Sequence, residues 1–173
     1  AWTSISWSSI DYLGNKKALH YKLSEIYAPI LLGLDIKGKD LYDVWVSNDL
    51  QRDIDGRVRI IVEDMEGNQM FAFSEKADVK ANSCYRLPNK VNINTLNKKK
   101  SECYARIIFM EEDTILSERI HFFTYPKDLE LIETEINPNI NFKDGKYYIE
   151  FTADVFVKDL CIEASERGDF SKN

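Results

Sequence analysis

The stretch L-Y-D-V-W-V-S-N-D, residues 41–49, decides the fold. Tyr42, Val44 and Val46 fall on one side of it, and Asp43, Trp45 and Ser47 on the other. That two-residue period belongs to a strand with one buried face. Working outward, the same alternation recurs. Upstream, A-P-I-L-L-G-L-D-I (28–36) is a strand, and downstream Asn48-Asp49 begins a connection. Asp55-Gly56 reads as a turn, followed by R-V-R-I-I-V-E-D (57–64). Glu66-Gly67-Asn68 links that strand to Q-M-F-A-F-S-E-K (69–76) as a hairpin. A weaker strand, 77–87, stops near Pro88. In E-C-Y-A-R-I-I-F-M (102–110), Cys103, Ala105, Ile107 and Phe109 share a face. The acidic tip Glu111-Glu112-Asp113 precedes T-I-L-S-E-R-I-H-F-F-T-Y (114–125). About seven short strands within roughly a hundred residues predict an immunoglobulin-like antiparallel β-sandwich.

The flanks read differently. Residues 17–27 predict a short helix, with Leu19, Leu23, Ile26 and Tyr27 on one face. Asp11 and Gly14 make the turn before it, and Pro29 follows its end. Tyr125-Pro126-Lys127-Asp128 is a linker. Beyond it, 129–136, 146–156 and 159–165 read as strands, with a break at Asn137-Pro138 and a turn at Asp144-Gly145. Three strands do not close a sandwich, so this region is expected to be part of a second β domain. The fold class is therefore mainly β: a short helix, the sandwich, then part of a second β domain.

The 173 residues carry a net charge of −6 with 44% apolar content, an ordinary globular balance. Acidity argues against nucleic-acid binding, which wants a basic face. Lys98-Lys99-Lys100 reads as a solvated turn. No stretch approaches the ~20 apolar residues of a membrane helix. Cys84, Cys103 and Cys161 form no C-x-x-C or Cys/His cluster, so no structural metal or cofactor is expected. Cys84 and Cys103 can pair if their strands are neighbours; buried free thiols are the favoured alternative.

No catalytic constellation emerges. His20 and His121 have no motif around them and read as packed or hydrogen-bonded residues. Glu111-Glu112 is solvated charge at a hairpin tip, whereas a general acid needs burial or a like-charged neighbour in a cleft. Aromatic residues make up 12% of the chain. Those in strands, Trp45 among them, read as core; a sugar-stacking platform is the alternative, with its face undetermined.

The opening W-T-S-I-S-W-S-S-I-D-Y-L-G-N-K-K-A-L-H-Y, residues 2–21, resembles the end of the catalytic barrel in β-mannosidases of glycoside hydrolase family two. Y-A-P-I-L-L (27–32), V-W-V-S-N-D-L (44–50), Y-P-K-D-L-E-L (125–131) and T-A-D-V-F-V-K-D-L-C-I-E-A (152–164) resemble later stretches of the same enzymes, in the same order. Lys16 departs from the pattern, standing where the family often has an aromatic residue. The resemblance implies that residues 1–27 end a catalytic barrel, 28–125 form the sandwich, and 126–173 begin a truncated second sandwich. It implies that Trp2 walls the sugar subsite of the parent enzyme, since such barrels gather ligand residues at strand C-termini and an indole suits the apolar face of a pyranose. Trp7, Asp11, His20 and Tyr21 are then structural.

Such enzymes are expected to be retaining, with an acid/base and a nucleophilic glutamate ~5–5.5 Å apart. Both are expected before Ala1, so this chain is expected to be noncatalytic, the parent releasing terminal β-mannose. The implied partners are the parent's own barrel and, through it, mannosides; nucleic acid and membrane are not expected. A periplasmic or secreted location is favoured for a bacterial parent. Residues 1–13, without strand partners, are expected to be disordered or to pair with a second copy through an open edge. Two other readings compete: a free carbohydrate-binding module, which needs an exposed aromatic platform, and an immunoglobulin-like protein-interaction domain, which needs a large exposed apolar patch.

Overall fold

The computed structural model of the 173-residue chain describes residues 8–162, in two units. The larger, Ile30–Val157, contains the sandwich. Its strands are β1 (Ile30–Ile36), β2 (Leu41–Asn48), β3 (Ile54–Asp64), β4 (Gln69–Val79), β5 (Ser83–Asn92), β6 (Cys103–Glu111) and β7 (Thr114–Phe122). One sheet has the order β1-β2-β5 and the other β4-β3-β6-β7, all antiparallel. The alternation read in residues 41–49 holds: Tyr42, Val44 and Val46 are buried in the core. Opposite them lie Val58, Ile60 and Val62 of β3 and Cys103, Ala105, Ile107 and Phe109 of β6. Burying such a side chain contributes about 1.5–3 kcal/mol.

Two expectations are corrected here. Asp55-Gly56 is not a turn: both pair within β3, opposite Asp78 and Ala77. Gly56 is there for space, because a Cβ would stand 2.5 Å from the Phe109 ring. Nor does β5 stop at Pro88. It runs to Asn92, and its register against β2 shifts between Asp43 and Trp45, opposite Pro88. A proline is tolerated at such a bulge on an edge strand, where its missing N–H costs no ladder bond.

The connections are fastened by specific polar groups. Asn48 is fully buried; its Nδ2 donates to the carbonyls of Arg52, Val79 and Lys80, and its Oδ1 accepts from the Leu50 amide. The family-like stretch 44–50 thus contains a hub joining the β2–β3 and β4–β5 connections. Arg52 grips Glu111 with two hydrogen bonds, 2.7 and 2.6 Å. The triple lysine is not simply solvated. Lys98 pairs with Asp64, Lys99 with Glu102 and Glu130, and Lys100 with Asp40. The family-like stretch 125–131 is held by Glu130, which takes a hydrogen bond from Ser101 Oγ and donates its amide to the Ser101 carbonyl.

After the linker, residues 129–136 are not a strand. The pairing lies instead in β8 (Asn137–Lys143) and β9 (Lys146–Thr152), joined by Asp144-Gly145, both at positive φ as a two-residue hairpin turn requires. Every residue of β8 is exposed. Past the hairpin, Phe156 returns to the sandwich, its ring 4.1 Å from that of Tyr104 and its amide bonded to the Met65 carbonyl. Residues 159–162 form no strand, and 163–165 lie outside the described residues.

In the smaller unit, α1 (Ala18–Ile26) follows a loop built around Asp11. Asp11 Oδ1 accepts from the amides of Leu13 and Asn15, and Oδ2 from Asn15 Nδ2, with Gly14 at φ 88°. Asp64 of the larger unit makes the same loop with Glu66, Gly67 and Asn68. D-Y-L-G-N (11–15) and D-M-E-G-N (64–68) share the pattern D-x-x-G-N. No residue of α1 is buried; Leu19 and Ile26 of its apolar face are exposed.

Candidate functional site on the outer face of the three-stranded sheet

Trp2, the residue implied to wall a sugar subsite, lies outside the described residues, as does Trp7. Asp11 is structural, as the loop above requires. His20 stands edge-on to Tyr21 on α1. His121 packs against Tyr42 and Phe123, and burial, with Arg119 nearby, pushes its pKa below the usual imidazole value. This is the packed histidine that the sequence leads one to expect. Cys103 is buried and its thiol is pushed up to about 11 by burial, so it is inert. Cys84 and Cys161 are exposed, against the expectation of buried thiols; all three are free, and Cys84 and Cys103 sit in different sheets. Among the described residues no group of three or more His, Cys, Asp or Glu could hold a metal ion.

The described polar cluster with an aromatic centre is on the outer face of β1-β2-β5. Trp45 projects there from the middle strand, half-buried. Its register partner on β1 is Gly33, and its partner on β5 is Arg86. The indole packs directly against Gly33: a Cβ at that position would be 2.3 Å from Cζ2. Only glycine allows this approach. The indole Nε1 donates to Asp35 Oδ1 at 3.0 Å, while Arg86 Nη1 donates to Asp35 Oδ2 at 2.7 Å. Those two bonds, Arg86 first, hold the Asp35 carboxyl below the usual carboxylate range. Asp43, two residues before Trp45 on the same face, is ringed by Lys37 and Lys90 at 3.5 Å and Arg86 at 3.9 Å. The result is an aromatic plate, locked at its edge, within a nearly balanced set of charges.

This placement corrects the reading of Trp45 as core. The alternation of residues 41–49 already put Trp45 opposite Tyr42, Val44 and Val46, and an isolated Gly inside a strand signals close approach. What the sequence lacked was the register joining Gly33, Trp45 and Arg86 across three strands.

Two antiparallel sheets of three and four strands around one apolar core define an immunoglobulin-like β-sandwich. Residues 40–128 match the Mannosidase Ig/CBM-like domain, and the chain belongs to that family. Beta-mannosidase A of Aspergillus oryzae is 25% identical over 166 residues, covering 86% of this chain and 18% of the relative. That of Aspergillus terreus is 24% identical over 169 residues, covering 89% and 18%. The chain thus spans about a fifth of the length of these relatives. Among solved structures, a β-D-mannosidase from Dictyoglomus thermophilum superposes with a TM-score of 0.71 at 18% identity, covering 87% of this chain and 18% of that one. An exo-chitosanase from Amycolatopsis orientalis gives 0.54 at 14%, covering 88% and 17%. These structures support the fold.

Proposed function

We propose that this chain is a noncatalytic C-terminal portion of a glycoside hydrolase of family two that resembles a retaining exo-β-mannosidase. The observation that carries the reading is the family match over 40–128, joined to β-mannosidase relatives that align along 86% of the chain. In this reading residues 1–27 end the catalytic barrel, 28–125 are the sandwich and 126–173 belong to a second β domain. Two structural features support that division. The apolar face of α1 presents Leu19 and Ile26 to solvent, as a helix removed from a barrel would. The β8–β9 hairpin has one apolar face, with Ile140, Phe142 and Tyr147 exposed, as the start of a sandwich would.

Five hydrogen-bonded carboxylates are set against acting as a catalytic acid. Asp11, Asp35, Asp53, Glu102 and Glu111 all have their pKa lowered by hydrogen bonds. A glycosidase acid needs the opposite shift. The sandwich then serves the parent by packing against the barrel, and Trp2 walls the sugar subsite.

The test is to express this chain and the whole protein containing it and assay both on an aryl β-mannoside. The expected result is hydrolysis by the whole protein and none by the 173-residue chain. In the whole protein, Trp2→Ala is expected to lower kcat/KM at least about tenfold, the scale of one lost stacking contact. Hydrolysis by the chain alone, or a whole protein inert toward β-mannosides, overturns the reading.

A further inference from the structure

We propose that the Trp45 plate is a carbohydrate-binding subsite of the sandwich itself, taking a neutral pyranose unit of a β-linked oligosaccharide. The inference goes beyond the parent's activity and does not require it.

Three observations carry it. The first is the aromatic surface. Trp45 is half-buried on the outer face, with its indole packed against Gly33, where a Cβ would come within 2.3 Å. The C–H-rich face of a pyranose and an indole are complementary in size and polarity. The second is preorganisation. Gly33 supports the ring, and Asp35 fixes its edge through Nε1 at 3.0 Å, so little side-chain freedom remains to be lost on binding.

The third is the rim. Asp35 and Arg86, bonded at 2.7 Å, stand beside the ring. Each Asp35 oxygen has a second lone pair, and a guanidinium has five N–H donors, of which Arg86 Nη1 gives one to Asp35. Neighbouring hydroxyls of a sugar are both donors and acceptors, and a carboxylate–guanidinium pair can meet both. The charges also argue for this occupant over others. Asp35 and Asp43 stand against Lys37, Arg86 and Lys90, a set too balanced to attract a polyanion. A dry protein interface excludes Lys and Asp from its centre, whereas here they surround the plate. A sugar, which keeps its hydroxyls hydrated at the rim, suits both conditions.

The 173-residue chain is titrated with β-1,4-mannotetraose and with cellotetraose, by calorimetry and by amide chemical-shift mapping. At least one tetraose is expected to bind saturably, with shifts centred on residues 33, 45 and 86. W45A should weaken binding at least about tenfold, and W45F less. G33A, which lifts the ring, and R86A, which empties the rim, should each weaken it too. If W45A does not fold, G33A and R86A decide. No binding of either tetraose at millimolar concentration, or binding that these substitutions leave unchanged, overturns the inference. The first of those results would leave the face as a surface for another part of the parent protein. Hydrolysis by the whole protein is read separately, so failure here does not touch the proposed activity.

Discussion

The sandwich and the β8–β9 hairpin are built from the same alternating pattern and end in opposite states. In β6 the inward residues Cys103, Ala105, Ile107 and Phe109 are essentially inaccessible. In β8 every position is exposed, and Ile140 and Phe142 remain 60% and 65% accessible. Alternation assigns a strand its two faces; only a second layer turns one face into core. The sandwich has that layer in the sheet across from it, joined by the connections Asn48 fastens. Among the described residues the hairpin has its own turn and ladder, and a two-stranded ladder alone is marginal in water.

The strongest way to break this comparison is to delete matched side chains on both sides. Phe109→Ala is expected to cost about 3–5 kcal/mol in chemical unfolding, while Phe142→Ala costs under ~0.5 kcal/mol. Similar losses would mean that the hairpin has a core. Next in size is Asn48→Ala. It strips partners from the carbonyls of Arg52, Val79 and Lys80 and the amide of Leu50, and should destabilise by about 1–3 kcal/mol. Gly56→Ala sharpens the comparison within β3, since its Cβ meets the Phe109 ring and the Met110 carbonyl. A loss of about 1–3 kcal/mol is expected from that overpacking, read as a lower denaturant midpoint. A stabilised variant would show that the Phe109 ring can give way to the extra methyl and that Gly56 is not there for space.

The pH dependence is a smaller effect. His121 has its folded pKa depressed by burial below 6.5, so the unfolded state binds its proton first as pH falls. Its contribution to stability is complete above 6.5 and declines as pH drops below that value. His121→Gln should flatten that part of the stability–pH profile. Smallest of all, Arg52→Ala removes an exposed ion pair with Glu111 and should shift the thermal midpoint only slightly.

The fold was legible wherever local pattern and tertiary role agree. Residues 41–49 and 102–110 alternate cleanly because one face of each is core. The pattern failed where a residue serves a distant partner. Gly56 looks like a turn glycine, but its role is set by Phe109, fifty-three positions on. Pro88 looks like a strand end, but it sits at a bulge whose partner is β2. Residues 129–136 alternate without pairing, while Asn137-Pro138, which look like a break, lie in a strand with no buried face. The repeated D-x-x-G-N loops were readable in principle, since an Asp two and four residues before amides and a Gly at positive φ are local features. The Trp45 plate was half legible: its face follows from alternation, but Gly33 and Arg86 reach it only through strand register.

The claim on which the account rests is that the sandwich is a cooperative unit and that the hairpin has no second layer among the described residues. Native-state hydrogen exchange tests it directly. Amides of β2, β3 and β6 should exchange only through global unfolding, and those of β8 and β9 through local opening at far lower free energy. Equal protection of the β8–β9 amides and the sandwich core would contradict it.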